Sequence, residues 1–184
     1  MMYPSIPRRV SLLTVFVATF LLAACGDGGL ASFTITEKSQ EVTVEGSALG
    51  GLPVENPFGE ALQLNVDLEQ ELESRDATGA SGVFLQDLDL EITDAAMPEG
   101  DSDDFDFLTS LEIYANADGL DKKLVAIIED VPDGKQKISL DTKSNVNLKP
   151  YVERGMKLQA TAQGSAPDDD TSLQAIAVIR IEVL

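Results

Sequence analysis

Carboxylates are the only chemistry-bearing side chains that cluster in this sequence. Glu99, Asp101, Asp103, Asp104 and Asp106 lie within eight residues, and Asp168, Asp169 and Asp170 form a second run. Calcium takes six to eight oxygen ligands, and clustered loop carboxylates can supply several of them. The candidate metal ligands are therefore Asp101, Asp103, Asp104 and Asp106 from the first run and Asp168, Asp169 and Asp170 from the second. The first run does not follow the EF-hand pattern, which needs Gly at the sixth place of its loop and Glu at the twelfth. The bland alternative is loop charge facing water. Paired carboxylates at a defined separation also hydrolyse glycosides. The chain has no Trp and only three Tyr with which to hold a sugar, so a hydrolase stands third. Histidine is absent. That removes Ser–His–Asp and Cys–His catalysis and the commonest zinc ligand. There is no P-loop or dinucleotide fingerprint; Gly46-Ser47-Ala48-Leu49-Gly50-Gly51 is rich in glycine, but no Lys follows it. It reads as a flexible loop. No catalytic residue is assigned, and the expectation is a protein that is not an enzyme.

The single cysteine has a different use. Met1 to Arg9 carries Arg8 and Arg9 and no acid, and Val10 to Leu22 is an apolar run of 13 residues. Small residues then lead into Cys25. This is the charged, apolar and small-residue layout of a secretory signal. The apolar run is shorter than the roughly 18–20 residues that cross a bilayer as a helix. Leu22-Ala23-Ala24-Cys25 resembles the lipobox of bacterial lipoproteins. The resemblance covers residues 1–25. It implies a diacylglycerol on the Cys25 thiol, cleavage before Cys25, and acylation of the new amino group. Residues 1–24 are then a signal peptide, and Cys25 is the lipidation site. In general layout, though in no motif, the rest resembles single-domain envelope lipoproteins of Gram-negative bacteria.

Several consequences follow for address and partners. Each buried methylene contributes about 0.8 kcal/mol, and two or more acyl chains make attachment stable where one is marginal. Residues 25–31 form the lipidated N-terminus and a tether that includes Gly26-Asp27-Gly28-Gly29. The residue after Cys25 is Gly26 rather than the Asp that the resemblance associates with inner-membrane retention, so the outer membrane is favoured, at its periplasmic face or the cell surface. Cleavage would leave 160 of 184 residues, enough for one domain with a core. It removes two of 13 basic residues and none of 32 acidic ones, taking the net charge from −19 to −21. Phosphate backbones repel such a body, so nucleic acid is a poor partner. The expected partners are the membrane, through the lipid, and another envelope protein. The expected cofactor is none beyond the covalent lipid, with calcium as the alternative.

Elements that would position these residues are mostly strands. Ser32 to Thr36, Glu41 to Glu45, and Leu62, Leu64 and Val66 alternate apolar with polar. So do Leu88, Leu90 and Ile92 against Asp87, Asp89 and Glu91. A further strand lies within Phe107–Ala115, and Leu124 to Ile128 is a continuous apolar run fit for a strand covered on both faces. Met156 to Gln163 and Leu173 to Leu184 read as a terminal antiparallel hairpin with Asp168, Asp169 and Asp170 in its loop. Asp67 to Asp76 predicts a short helix capped by Asp67, with continuation of the preceding strand as the alternative, and residues 147–154 a turn or more of helix stopped by Gly155. Phe105 and Phe107 are read as core residues. Together these signals predict an all-β fold: an antiparallel β-sandwich of about eight or nine strands with one or two short helices, occupying residues 32–184 as a single domain.

Overall fold

An extended backbone must pair its N–H and C=O groups sideways, and side-chain alternation decides which face turns inward. The computed structural model describes residues 31–47, 67–93 and 103–184. Among them are eight strands and two short helices. In chain order these are β1 (Ser32–Lys38), β2 (Val42–Val44), α1 (Leu68–Glu73), β3 (Ala80–Ile92), β4 (Leu108–Asn116), β5 (Lys123–Ile128), β6 (Lys137–Thr142), α2 (Lys149–Val152), β7 (Lys157–Gly164) and β8 (Thr171–Val183). The expectations at Leu62, Leu64 and Val66 lie outside the described residues, as do Cys25 and Asp101.

All pairings are antiparallel, along one path in the order β1-β8-β3-β6-β5-β4-β7, with β2 also on β8. The path is open, with β1 and β7 at its ends. It folds over at β6, whose first residues pair with β3 and whose last two, Asp141 and Thr142, pair with β5. Inward-facing residues from both halves, such as Leu90 and Ile179 on one side and Leu111 and Ile113 on the other, merge into one core. The result is an all-β sandwich of two layers.

The longest pairing is β3 with β8, and it spans the molecule. Val83, Leu85, Leu88, Leu90 and Ile92 face inward opposite Ile181, Ile179, Ala177, Ala175 and Leu173. A register shift between Leu85 and Asp87 keeps the apolar residues inward on both sides of it. The wet face carries Asp87, Asp89 and Glu91, with Arg180 stacked 4.5 Å above the Phe84 ring. Along the other side of β8, β1 and β2 follow one another. Ser39 fills the gap between them: its amide donates to the Ala175 carbonyl, and its Oγ accepts from the Ala175 amide, each at 2.8 Å.

Two expectations require correction. Residues 157–164 and 171–183 do not form a hairpin. β7 pairs with β4 in one layer, whereas β8 pairs with β3, β1 and β2 in the other. Alternation specifies which face of a strand is buried, not which strand lies beside it. The connection 165–170 therefore turns a corner between layers. The apolar run 124–128 is interior to the strand order, but the consecutive burial of Val125 and Ala126 marks a register shift against Ile113 and Tyr114, not cover on both faces.

The helices form as the sequence predicts. Asp67 Oδ1 accepts from the Gln70 amide at 3.0 Å and so caps α1, whose Leu68 and Leu72 rest on the core. α2 starts with Pro150 in its first turn, and the chain reverses at Gly155, where φ is 72°. No helix among the described residues is long and apolar enough to cross a membrane.

Candidate functional site

The two acidic runs, about 60 positions apart in sequence, come together at one end of the sandwich, where β8 begins. Asp103, Asp104 and Asp106 approach from one side, and Asp168 and Asp169 from the other. They line an open pocket of about 450 Å³ with Phe107 in its wall. The corner geometry of β7 and β8 produces this meeting. The Ser165 amide donates to the Phe107 carbonyl at 2.7 Å, tying the corner to the start of β4. Gly164 must be glycine there, because a Cβ would stand 2.1 Å from the same Phe107 oxygen.

Much of the carboxylate chemistry is already engaged with backbone. Asp104 Oδ1 accepts from the Asp106 amide at 3.0 Å, and Asp106 Oδ1 accepts from the Gly134 amide in the Pro132-Asp133-Gly134 turn. Asp170 is not part of the pocket lining, and its Oδ1 accepts from the Gly46 amide at 2.9 Å. The Ser47 amide donates to the Pro167 carbonyl at 2.8 Å. A Cβ at Gly46 would lie 2.1 Å from the Asp169 carbonyl carbon, so this glycine lets the two backbones touch. The start of the glycine-rich segment, expected to be a flexible loop, is thus pinned to the acidic corner. Asp103 is nearly buried, and its carbonyl accepts from Gln136 Nε2 at 3.1 Å. Carboxylates that accept from amides order loops as effectively as they bind ligands.

Beneath this end the core is closed by aromatic side chains. Phe105 is completely buried and Phe107 nearly so, with ring centroids 6.1 Å apart. Both belong to the core, as expected, although they lie in the turn that leads into β4 and not in a strand. The Phe105 amide donates to the Lys135 carbonyl at 2.8 Å, so the acidic loop and the 132–136 turn brace each other.

Five of the seven candidate ligands thus share a pocket, Asp170 flanks it, and Asp101 lies outside the described residues. No group of three metal-ligating side chains converges among the described residues. The arrangement offers concentrated negative charge on a braced frame, with ordinary hydroxyls and amides around it.

A second concavity, not expected from the sequence, lies at the opposite end. Here Leu68 and Leu72 of α1, Val152 of α2, Met156 and Leu184 line an open groove of about 690 Å³. Only the spacing of Leu68 and Leu72, which predicts one apolar helix face, hinted at it. The end of β8 and the residue after it are tied in beside the groove: the Leu184 amide donates to the Gly79 carbonyl at 3.1 Å, and the Val183 amide to the Ala31 carbonyl at 2.8 Å. Its rim carries Asp67, Glu69, Lys149 and Glu153. Beside it Arg75 lies 4.3 Å above the Phe33 ring. Farther along β1, burial raises the Glu37 carboxyl above its ordinary pKa, and the Glu71 charge adds to the rise.

No family model and no curated protein matches this chain.

Proposed function

We propose that the chain is a lipid-anchored protein of the bacterial cell envelope whose β-sandwich binds another molecule or serves as a structural module, without catalysing a reaction. The observation that carries this reading is Cys25 itself. It closes a Leu22-Ala23-Ala24-Cys25 lipobox, and the first strand of the folded domain begins seven residues later at Ser32. A tether of this length would hold the domain close to the membrane. The favoured site is the outer membrane, and the favoured partner is another envelope protein. The test is Cys25→Ser in the full chain. Metabolic labelling with a palmitate analogue should be lost, and the protein should leave the membrane on alkaline carbonate washing. Retention of both label and membrane association would overturn the reading.

A second reading is calcium- or ligand-dependent binding, as in an adhesin. The presence of Asp103, Asp104, Asp106, Asp168 and Asp169 around one open pocket favours it. Clustered carboxylates repel one another until a cation relieves them, so calcium should raise the thermal midpoint. An unchanged midpoint at millimolar calcium, with no heat in isothermal titration, would end this reading.

A further inference from the structure

Ala31 and the apolar groove lie at the same end of the sandwich. Ala31, the last residue before β1, accepts from the Val183 amide, and the next residue, Leu184, forms a wall of the groove. Only residues 26–31 separate Cys25 from the fold. At a full extension of about 3.5 Å per residue they reach roughly 21 Å at most. The lipid therefore arrives close to a concavity lined by Leu68, Leu72, Val152, Met156 and Leu184. Leu184 is 78% exposed and is the one strongly exposed large apolar side chain among the described residues. The acidic pocket stands at the far end of β8, whose 13 residues span about 40 Å.

We propose that this groove is a membrane-docking surface: the apolar end of the sandwich rests on the interfacial layer of the bilayer that holds the lipid of Cys25, and the acidic pocket faces away from it. The inference rests on the lipid-anchor reading. Apolar side chains presented at an anchored surface enter the boundary between headgroups and acyl chains, burying area that water otherwise covers. The occupant is a bilayer of zwitterionic lipid. The rim carries three carboxylates, Asp67, Glu69 and Glu153, against one ammonium, Lys149, so an anionic surface repels it. The acidic pocket at the other end is repelled from the same surface. Because both ends are acidic, apolarity alone sets the orientation, and it favours the groove end.

The chain contains no Trp, so a single introduced Trp is an unambiguous reporter. Leu184→Trp places one in the groove, Glu153→Trp a second on its rim, and Lys135→Trp one at the acidic end. Each full chain is purified in its lipidated form and reconstituted into phosphatidylcholine vesicles with brominated acyl chains. The groove and rim reporters should lose most of their emission, and the Lys135→Trp reporter should keep its own. Replacing part of the phosphatidylcholine with phosphatidylglycerol should weaken the quenching at low salt and restore it at high salt. Intact mass separates the two levels of failure. A chain that is acylated but quenched equally at both ends, or at neither, overturns docking and leaves the anchor intact. Blue-shifted, unquenched groove emission means that protein, from this chain or a second copy, covers the groove, and it overturns docking too. Absence of acyl mass overturns both readings.

Discussion

The two ends of β8 solve the problem of closing a sandwich in opposite ways. At the acidic end, loops are braced by carboxylates that accept backbone amides, and Phe105 seals the core beneath them. At the other end, two helices of six and four residues lie over the core with no fully buried residue of their own, and an apolar groove remains between them. Polar groups at the first end are used to order backbone. Apolar groups at the second are left half-covered. An open apolar groove is suited to meeting something apolar, and the proposed lipid anchor would bring the membrane to that end.

This contrast predicts unequal responses to mutation. The largest effect is expected at Phe105→Ala, which removes a fully buried ring: about 3–5 kcal/mol of stability lost, read from denaturant unfolding. A loss below about 1 kcal/mol would mean that the acidic end is not continuous with the core. Next comes Gly46→Ala. Its Cβ cannot fit 2.1 Å from the Asp169 backbone, so the acidic corner must shift at a cost of about 1–3 kcal/mol. Increased amide exchange across 165–170 would accompany it. At the opposite end, Asp67→Ala deletes the cap of α1 and costs about 0.5–2 kcal/mol locally. Because α1 is peripheral, exchange should quicken within 68–73 while the global midpoint barely moves. A matching drop in global stability would erase the distinction between the ends.

The smallest effects are electrostatic and have opposite signs. Burial pushes the Asp89 carboxyl up, but the Ser139 hydroxyl at 2.7 Å and the Lys137 ammonium at 2.9 Å outweigh it and hold the pKa below its ordinary value. A depressed carboxyl contributes stability at neutral pH and loses it as pH falls through the folded pKa. Asp89→Asn should therefore flatten the acid limb of the stability profile. Glu37 has a raised pKa, so its contribution is present at low pH and is lost as pH rises through the folded value. Glu37→Gln should make the protein slightly more stable at neutral pH, measured by thermal midpoint across pH 3–8. A decrease would show that Glu37 is held by a partner rather than strained by Glu71.

Local features were legible in the sequence because local physics decides them. Leu88, Leu90 and Ile92 against Asp87, Asp89 and Glu91 specify a half-buried strand, and β3 has that pattern. Asp67 ahead of Leu68 and Leu72 specifies a capped helix, and α1 has that cap. Partnership was not legible. Nothing in residues 157–183 tells β7 to join β4 or β8 to join β3, since both choices bury the same faces. The acidic pocket was missed for the same reason: each run could be read, but their meeting depends on a corner set by β-sheet order. The groove depends on two helices roughly 80 positions apart in sequence, and no short motif encodes it.

The proposed anchor requires lipid on Cys25 and a folded domain that hangs from it. Intact-mass spectrometry of the full chain, recovered from the membrane fraction of a bacterium that expresses it, tests this most directly. The account predicts loss of residues 1–24 and the added mass of a diacylglycerol, with or without a third acyl chain, on a peptide beginning at Cys25. A chain that retains residues 1–24, or one cleaved elsewhere with an unmodified Cys25, would contradict it.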